Sequence, residues 1–180
     1  MGKATQDLRK EHDAVLFVLQ ILDQMILADD RSRDVMLAYY GEVVYFLSTF
    51  VDKCHHGKEE NMLFPALVAK GVASEGGPVG AMLGEHARGR QYIARMRESL
   101  DAKDAAGFAG AARQYSDLLV HHIDKENGVL FVVADKVVPE NEQDSLYEEF
   151  ERFEESVIGH GVHERLHAMI DRWAQDFAVE

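Results

Sequence analysis

Residues 55–64 read HHGKEENMLF, and residues 122–131 read HIDKENGVLF. Aligned without gaps, both decapeptides have His at position 1, Lys at position 4, Glu at position 5 and Leu-Phe at positions 9 and 10. The histidine and the glutamate are four residues apart in each, so on a helix they share one face about one turn apart. One such pair is common by chance, but the matched order over the decapeptide predicts two equivalent helices that contribute to one site.

Each of these histidines has a histidine neighbour that competes for the inward position. At about 100° per residue, a helical wheel places an apolar arc along the first of these helices, made of Val44, Leu47, Phe50, Val51, Cys54 and Met62. His55 lies beside this arc, whereas His56 points toward the wetter side, and the same wheel favours His122 over His121. We therefore expect His55 and His122 to be buried. We expect His56 and His121 to lie at the surface or behind the inward ligands.

Apolar residues recur at intervals of three and four along most of the chain, which is the pattern of amphipathic helices. His12 and His86 stand within two of these stripes, which run from Leu8 to Ile26 and from Val79 to Leu100. The strict alternation of apolar and polar residues that is typical of strands is nearly absent. Glycine, proline and polar breaks divide the chain into five predicted helices, at about 8–26, 34–70, 79–100, 108–135 and 145–177, the last bent at Gly159 and Gly161.

These elements predict an all-α fold, an antiparallel four-helix bundle over about 5–138 with an additional C-terminal helix over about 145–177. The length of 180 residues suits a single domain, 1–180.

Cys54 is the only cysteine, which excludes a disulfide framework, and we expect it to be a small buried residue. A net charge of −13 argues against a nucleic-acid partner. Without an apolar leader or a run of ~20 apolar residues, we expect a cytoplasmic protein with no membrane partner.

The buried histidines and the repeated His/Glu pairs predict a metal site. The first and third bundle helices each supply one histidine, and the second and fourth each supply a His/Glu pair. The six candidate ligands are His12, His55, Glu59, His86, His122 and Glu126. Neutral imidazoles combined with carboxylates suit a borderline-hard transition metal rather than a thiolate-seeking one. Two facing glutamates can bridge two ions, and buried carboxylates need such cations.

This arrangement resembles the hemerythrin-like (HHE cation-binding) family. The resemblance rests on EHD at 11–13, HHGKEENMLFPAL at 55–67, GPVGAMLGEHARGR at 77–90 and HHIDKENGVLF at 121–131. It implies a four-helix bundle holding two non-haem iron ions, oxo- or hydroxo-bridged, with the six residues above as ligands. It also implies a small-molecule ligand, namely dioxygen, peroxide or nitric oxide, which the protein binds or reduces.

The ligand set departs from that of the family's oxygen carriers. Those proteins use a fifth histidine and one aspartate, whereas the pattern here supplies four histidines and two glutamates, which argues against reversible oxygen carriage. Peroxide-reducing or nitric-oxide-reactive chemistry therefore stands beside an alternative, a non-catalytic iron or oxygen sensor or an iron-handling protein.

A competing motif lies near the C-terminus, where His163-Glu164-Arg165-Leu166-His167 matches the HExxH pattern of zinc hydrolases. That interpretation needs a third ligand, for which His160 is the nearby candidate, and a substrate-binding strand edge. A packing helix with a buried row of Val162, Leu166, Met169 and Trp173 explains the same residues. A third interpretation is that His163, His167 or Glu155 reaches the di-metal site.

Overall fold

The computed structural model describes residues 1–28 and 31–179. Within these ranges the chain is helical and contains no strand. The α-helices are α1 (Lys3–Leu27), α2 (Arg33–Phe46), α3 (Phe64–Ala69), α4 (Pro78–Asp101), α5 (Ala105–Lys125), α6 (Phe131–Val137), α7 (Glu140–Ile158) and α8 (Val162–Asp176). The π-helical segments are π1 (Leu47–His56), π2 (Glu59–Leu63) and π3 (Glu126–Leu130).

Four helical rods form the bundle. The first is α1 and the third is α4, while the second runs without interruption from α2 through π1 and π2 to α3, and the fourth from α5 through π3 to α6. Local sequence sets the ends of the rods: Ser32 caps α2 by accepting from the Val35 N–H, and Asp104 caps α5 by accepting from the Gly107 N–H. The predicted all-α antiparallel bundle is confirmed. Part of the predicted break before α2, Asp29 and Asp30, lies outside the described residues.

The C-terminal segment differs from the single bent helix that the sequence predicted, because it is two helices, α7 and α8. The chain between them has φ of 84° at Gly159 and 73° at Gly161, a region that only glycine adopts without strain. Helix α7 packs closely on the second rod, where a Cβ at Gly57 would lie 2.8 Å from the Phe153 ring. One side of the second rod is therefore covered by α7.

Two apolar clusters fill the interior and leave a polar layer between them. The larger cluster includes Phe46, Phe108 and Trp173, and the smaller one includes Phe131 and Phe150. Along each rod the candidate ligands stand between a residue of one cluster and a residue of the other. Among the helices of the described residues, none is long and apolar enough to cross a lipid bilayer.

Candidate metal centre

The polar layer brings together all six candidate ligands from the four rods, and each of them is buried. Glu59 on π2 lies 3.6 Å from His55 Nε2 and 3.4 Å from His86 Nε2. Glu126 on π3 lies 3.2 Å from His12 Nε2 and 3.3 Å from His122 Nε2. The imidazole nitrogens also approach one another in pairs: the Nε2 atoms of His12 and His55 are 3.0 Å apart, and those of His86 and His122 are 3.1 Å apart.

The buried carboxylates lack the hydrogen bonds that such groups normally make. Both side-chain oxygens of Glu59 and both of Glu126 are shielded from solvent and accept no hydrogen bond. Imidazole Nε2 atoms lie 3.2–3.6 Å from these carboxylates without making hydrogen bonds to them. A buried ionised carboxylate without a partner is costly, and a coordinated cation removes that cost. The donor set of imidazole nitrogen and carboxylate oxygen fits a first-row transition metal.

The ligand atoms fall into two groups, each able to hold one ion. One group consists of His12, His55, Glu59 and Glu126, and the other of His56, Glu59, His86 and His122. Within each group the atoms lie within 4.8 Å of one another. Glu59 belongs to both groups, which is the position that a bridging carboxylate occupies.

Of the two positions expected for His56, at the surface or behind the inward ligands, the surface position is wrong. Its side chain is only 4% exposed, its ring stacks on His86 with the centroids 3.8 Å apart, and neither ring nitrogen has a hydrogen-bond partner. The helical wheel failed because π1 makes hydrogen bonds to the fifth residue, so each residue turns less than in an α-helix. His121 is exposed on the ordinary α-helix α5, as expected, and its Nδ1–H donates to the Asp117 carbonyl.

Acidic and amide side chains around the centre orient four of the histidines. Their Nδ1–H groups donate at 2.7–2.9 Å, from His55 to Glu11, from His86 to Glu60, from His122 to Glu85 and from His12 to Asn127. These acceptor oxygens hold the proton on Nδ1 and so direct Nε2 of each ring toward the interior. None of these outer residues was predicted from the sequence.

The repeated decapeptide is repeated in space as well. Lys58 and Lys125, at position 4, both donate to the carboxylate that orients the histidine at position 1, Glu11 and Glu85 respectively. Position 6 supplies the outer acceptor for the histidine of another rod. Position 10 supplies a ring that stacks on that same histidine, Phe64 on His86 and Phe131 on His12. Positions 1, 4, 5 and 10, which match, and position 6, which differs, therefore have corresponding roles in the two decapeptides.

Burial shapes the ionisation of the metal-free centre. Burial and the neighbouring charge of Glu126 raise the pKa of the Glu59 carboxyl to about 8. Burial also lowers the pKa of His55 and His56 well below the usual histidine value. The metal-free protein therefore disfavours two ionised glutamates, while these two imidazoles stay neutral and available to bind a cation.

The side chains of the C-terminal helices stay outside the two ligand groups. Glu155 is exposed, and the Nδ1–H of His163 donates to Glu154 rather than to any candidate ligand. The strand edge that the HExxH hydrolase interpretation requires is missing from the described residues. The buried row of α8 contains Ile170 in place of the expected Met169.

Cys54 is buried, as expected, and burial raises the pKa of its thiol. Its Sγ lies 3.8 Å from a Glu154 oxygen. Glu11, Cys54 and Glu154 have metal-like spacing, but the ammonium of Lys58 already lies between the two acids. This cluster is therefore an internal ion-pair network.

The comparisons with known proteins agree with this geometry. The model of the hemerythrin HHE cation-binding domain matches residues 3–134, which contain the first three rods and all of the fourth except its last three residues. Neither the search of curated proteins nor the search of solved structures gave a match. Because the family match covers well over half of the 180 residues, the chain belongs to the hemerythrin HHE cation-binding family.

Proposed function

We propose that this protein holds two non-haem iron ions in the polar layer and binds or reduces dioxygen, peroxide or nitric oxide there. The observation that carries the proposal is the convergence of imidazole nitrogens on two buried glutamates whose four oxygens accept no hydrogen bond. The proposed ligands are the six predicted residues, His12, His55, Glu59, His86, His122 and Glu126, together with His56.

The two ions would receive unequal sets of histidines. One would be held by His12 and His55, and the other by three imidazoles, those of His56, His86 and His122. Each ion would have four protein ligands in these groups, two histidines with two glutamates or three histidines with one glutamate, so both would keep positions for a small ligand. His56 also supplies a fifth histidine, so the number of histidines no longer argues against oxygen carriage, whereas the second glutamate still stands where the oxygen carriers have an aspartate.

An iron pair supplies one-electron redox changes and open coordination positions for a small ligand. The protein's own groups set the conditions for that chemistry. Outer acceptors such as Glu11 and Glu85 hold the Nδ1 protons and fix each ring. The apolar clusters on either side of the layer limit the access of water, which strengthens electrostatic interactions within it.

Iron loading tests the proposal directly. After anaerobic incubation with Fe²⁺ and desalting, we expect elemental analysis to find two irons per chain. On exposure to air, we expect the near-ultraviolet charge-transfer bands of a bridged ferric pair. A chain that retains no iron and develops no such bands contradicts the proposal. Turnover of added peroxide then separates reduction from simple binding.

His56 provides a test of the ligand assignment. We expect His56→Ala to lower the iron content and to change the charge-transfer spectrum, because the second ion loses one of three imidazoles. His121→Ala is the matched control, since it removes an exposed histidine from the equivalent histidine pair on the fourth rod. Full iron content with an unchanged spectrum in His56→Ala would mean that His56 is only a packing residue.

A further inference from the structure

A second pair of converging imidazoles lies on α8, outside the residues that match the family model. His163 and His167 are one turn apart, their rings stack with centroids 4.6 Å apart, and their Nε2 atoms are 2.7 Å apart. His167 is exposed and His163 is partly buried, so solvent and ions can reach the pair.

A carboxylate orients one histidine of this pair, His163, as Glu11, Glu60 and Glu85 orient histidines of the buried centre. The Nδ1–H of His163 donates to Glu154 Oε1 at 2.5 Å, which leaves Nε2 as the atom facing His167. Glu154 is itself fixed by Lys58, whose Nζ donates to its other oxygen at 2.8 Å. The combination matches His55 and His12, where Nδ1 of His55 is bound by a carboxylate and the Nε2 atoms lie 3.0 Å apart.

The surroundings favour a cation. The two histidines border a cleft of about 440 Å³ whose wall also carries the carboxylates of Glu151, Glu154 and Glu164. We propose that His163 and His167 form a second site, for a single divalent transition ion of borderline softness such as Zn²⁺. Water molecules would complete its coordination, since accessible zinc sites keep positions for water.

Zinc titration of the iron-loaded full-length protein tests this site. Calorimetry should count one more Zn²⁺ on the wild type than on His167→Gln. His167 is exposed, so its replacement leaves the fold intact. His121→Gln, which removes another exposed histidine, should bind as many zinc ions as the wild type.

Equal zinc stoichiometry in wild type and His167→Gln overturns the proposal. A loss of the same size in His121→Gln also overturns it, because binding would then be unspecific. The test measures a difference in zinc stoichiometry between variants, so its result can be interpreted even if the buried centre takes up no iron. Failure of the second site and failure of the proposed function therefore give different results.

Discussion

Replacing Lys58 with methionine is expected to lower the free energy of unfolding by about 3–5 kcal/mol. The Lys58 side chain is 1% exposed, and its ammonium donates to Glu11 at 2.6 Å and to Glu154 at 2.8 Å. Methionine fills most of the same volume but leaves both acids without their cation. Burial already raises the pKa of Glu11 and Lys58 counters that rise, so its removal leaves an uncompensated buried acid.

Lys125 is the control, because it occupies the same position of the repeated decapeptide and donates to the equivalent acid, Glu85. Its side chain is 47% exposed, so Lys125→Met should cost no more than about 1 kcal/mol. Urea denaturation of the two metal-free variants measures both values without a contribution from bound iron. Equal losses of stability in the two variants would show that the burial of Lys58 under α7 does not increase the cost of removing its ammonium group.

Hydrophobic periodicity and one internal repeat were sufficient to predict the bundle and the six candidate ligands that it brings together. His12 and His86 were identifiable because each interrupts an apolar stripe. His55 and Glu59 were identifiable because their spacing recurs in the second decapeptide. Such signals are local, and the four-rod arrangement follows once every stripe must be buried.

The features that the sequence did not predict depend on geometry that a regular helical wheel does not represent. The π-helical geometry of π1 turns His56 inward, and no residue type in that segment predicts a π-helix in place of an α-helix. Glu11 and Glu85 each precede one histidine in sequence but orient a histidine of another rod, so their role appears only after packing. Lys58 and Lys125 look equivalent in sequence, yet α7 covers only Lys58. Glycine conformations split the C-terminal segment into two helices.

Removing either central glutamate is expected to abolish iron binding. The two oxygens of Glu59 face His55 and His86, which belong to different ligand groups, so Glu59→Ala should lose both ions rather than one. Glu126→Ala should do the same, since its carboxylate faces His12 and His122. Asp124→Ala removes an exposed acid from the same rod and should retain full iron content. Elemental analysis after desalting distinguishes these outcomes, and two irons per chain in either glutamate variant would rule out a bridging role.

In the metal-free protein, the ionisation of Glu59 should make stability depend on pH. The pKa of Glu59 is raised from 4.5 to about 8 by burial and by Glu126, so folding binds a proton between these values. The contribution of Glu59 to stability should therefore fall as the pH rises from about 4.5 to about 8, so the metal-free wild type should lose stability relative to a variant that cannot ionise at this position. Glu59→Gln keeps the side-chain volume but cannot ionise, so its stability should fall less over this range. Urea midpoints measured across the range test the expectation. Parallel curves for the two proteins would mean that Glu59 ionises freely without a cation, and the electrostatic demand for metal at the centre would then be absent.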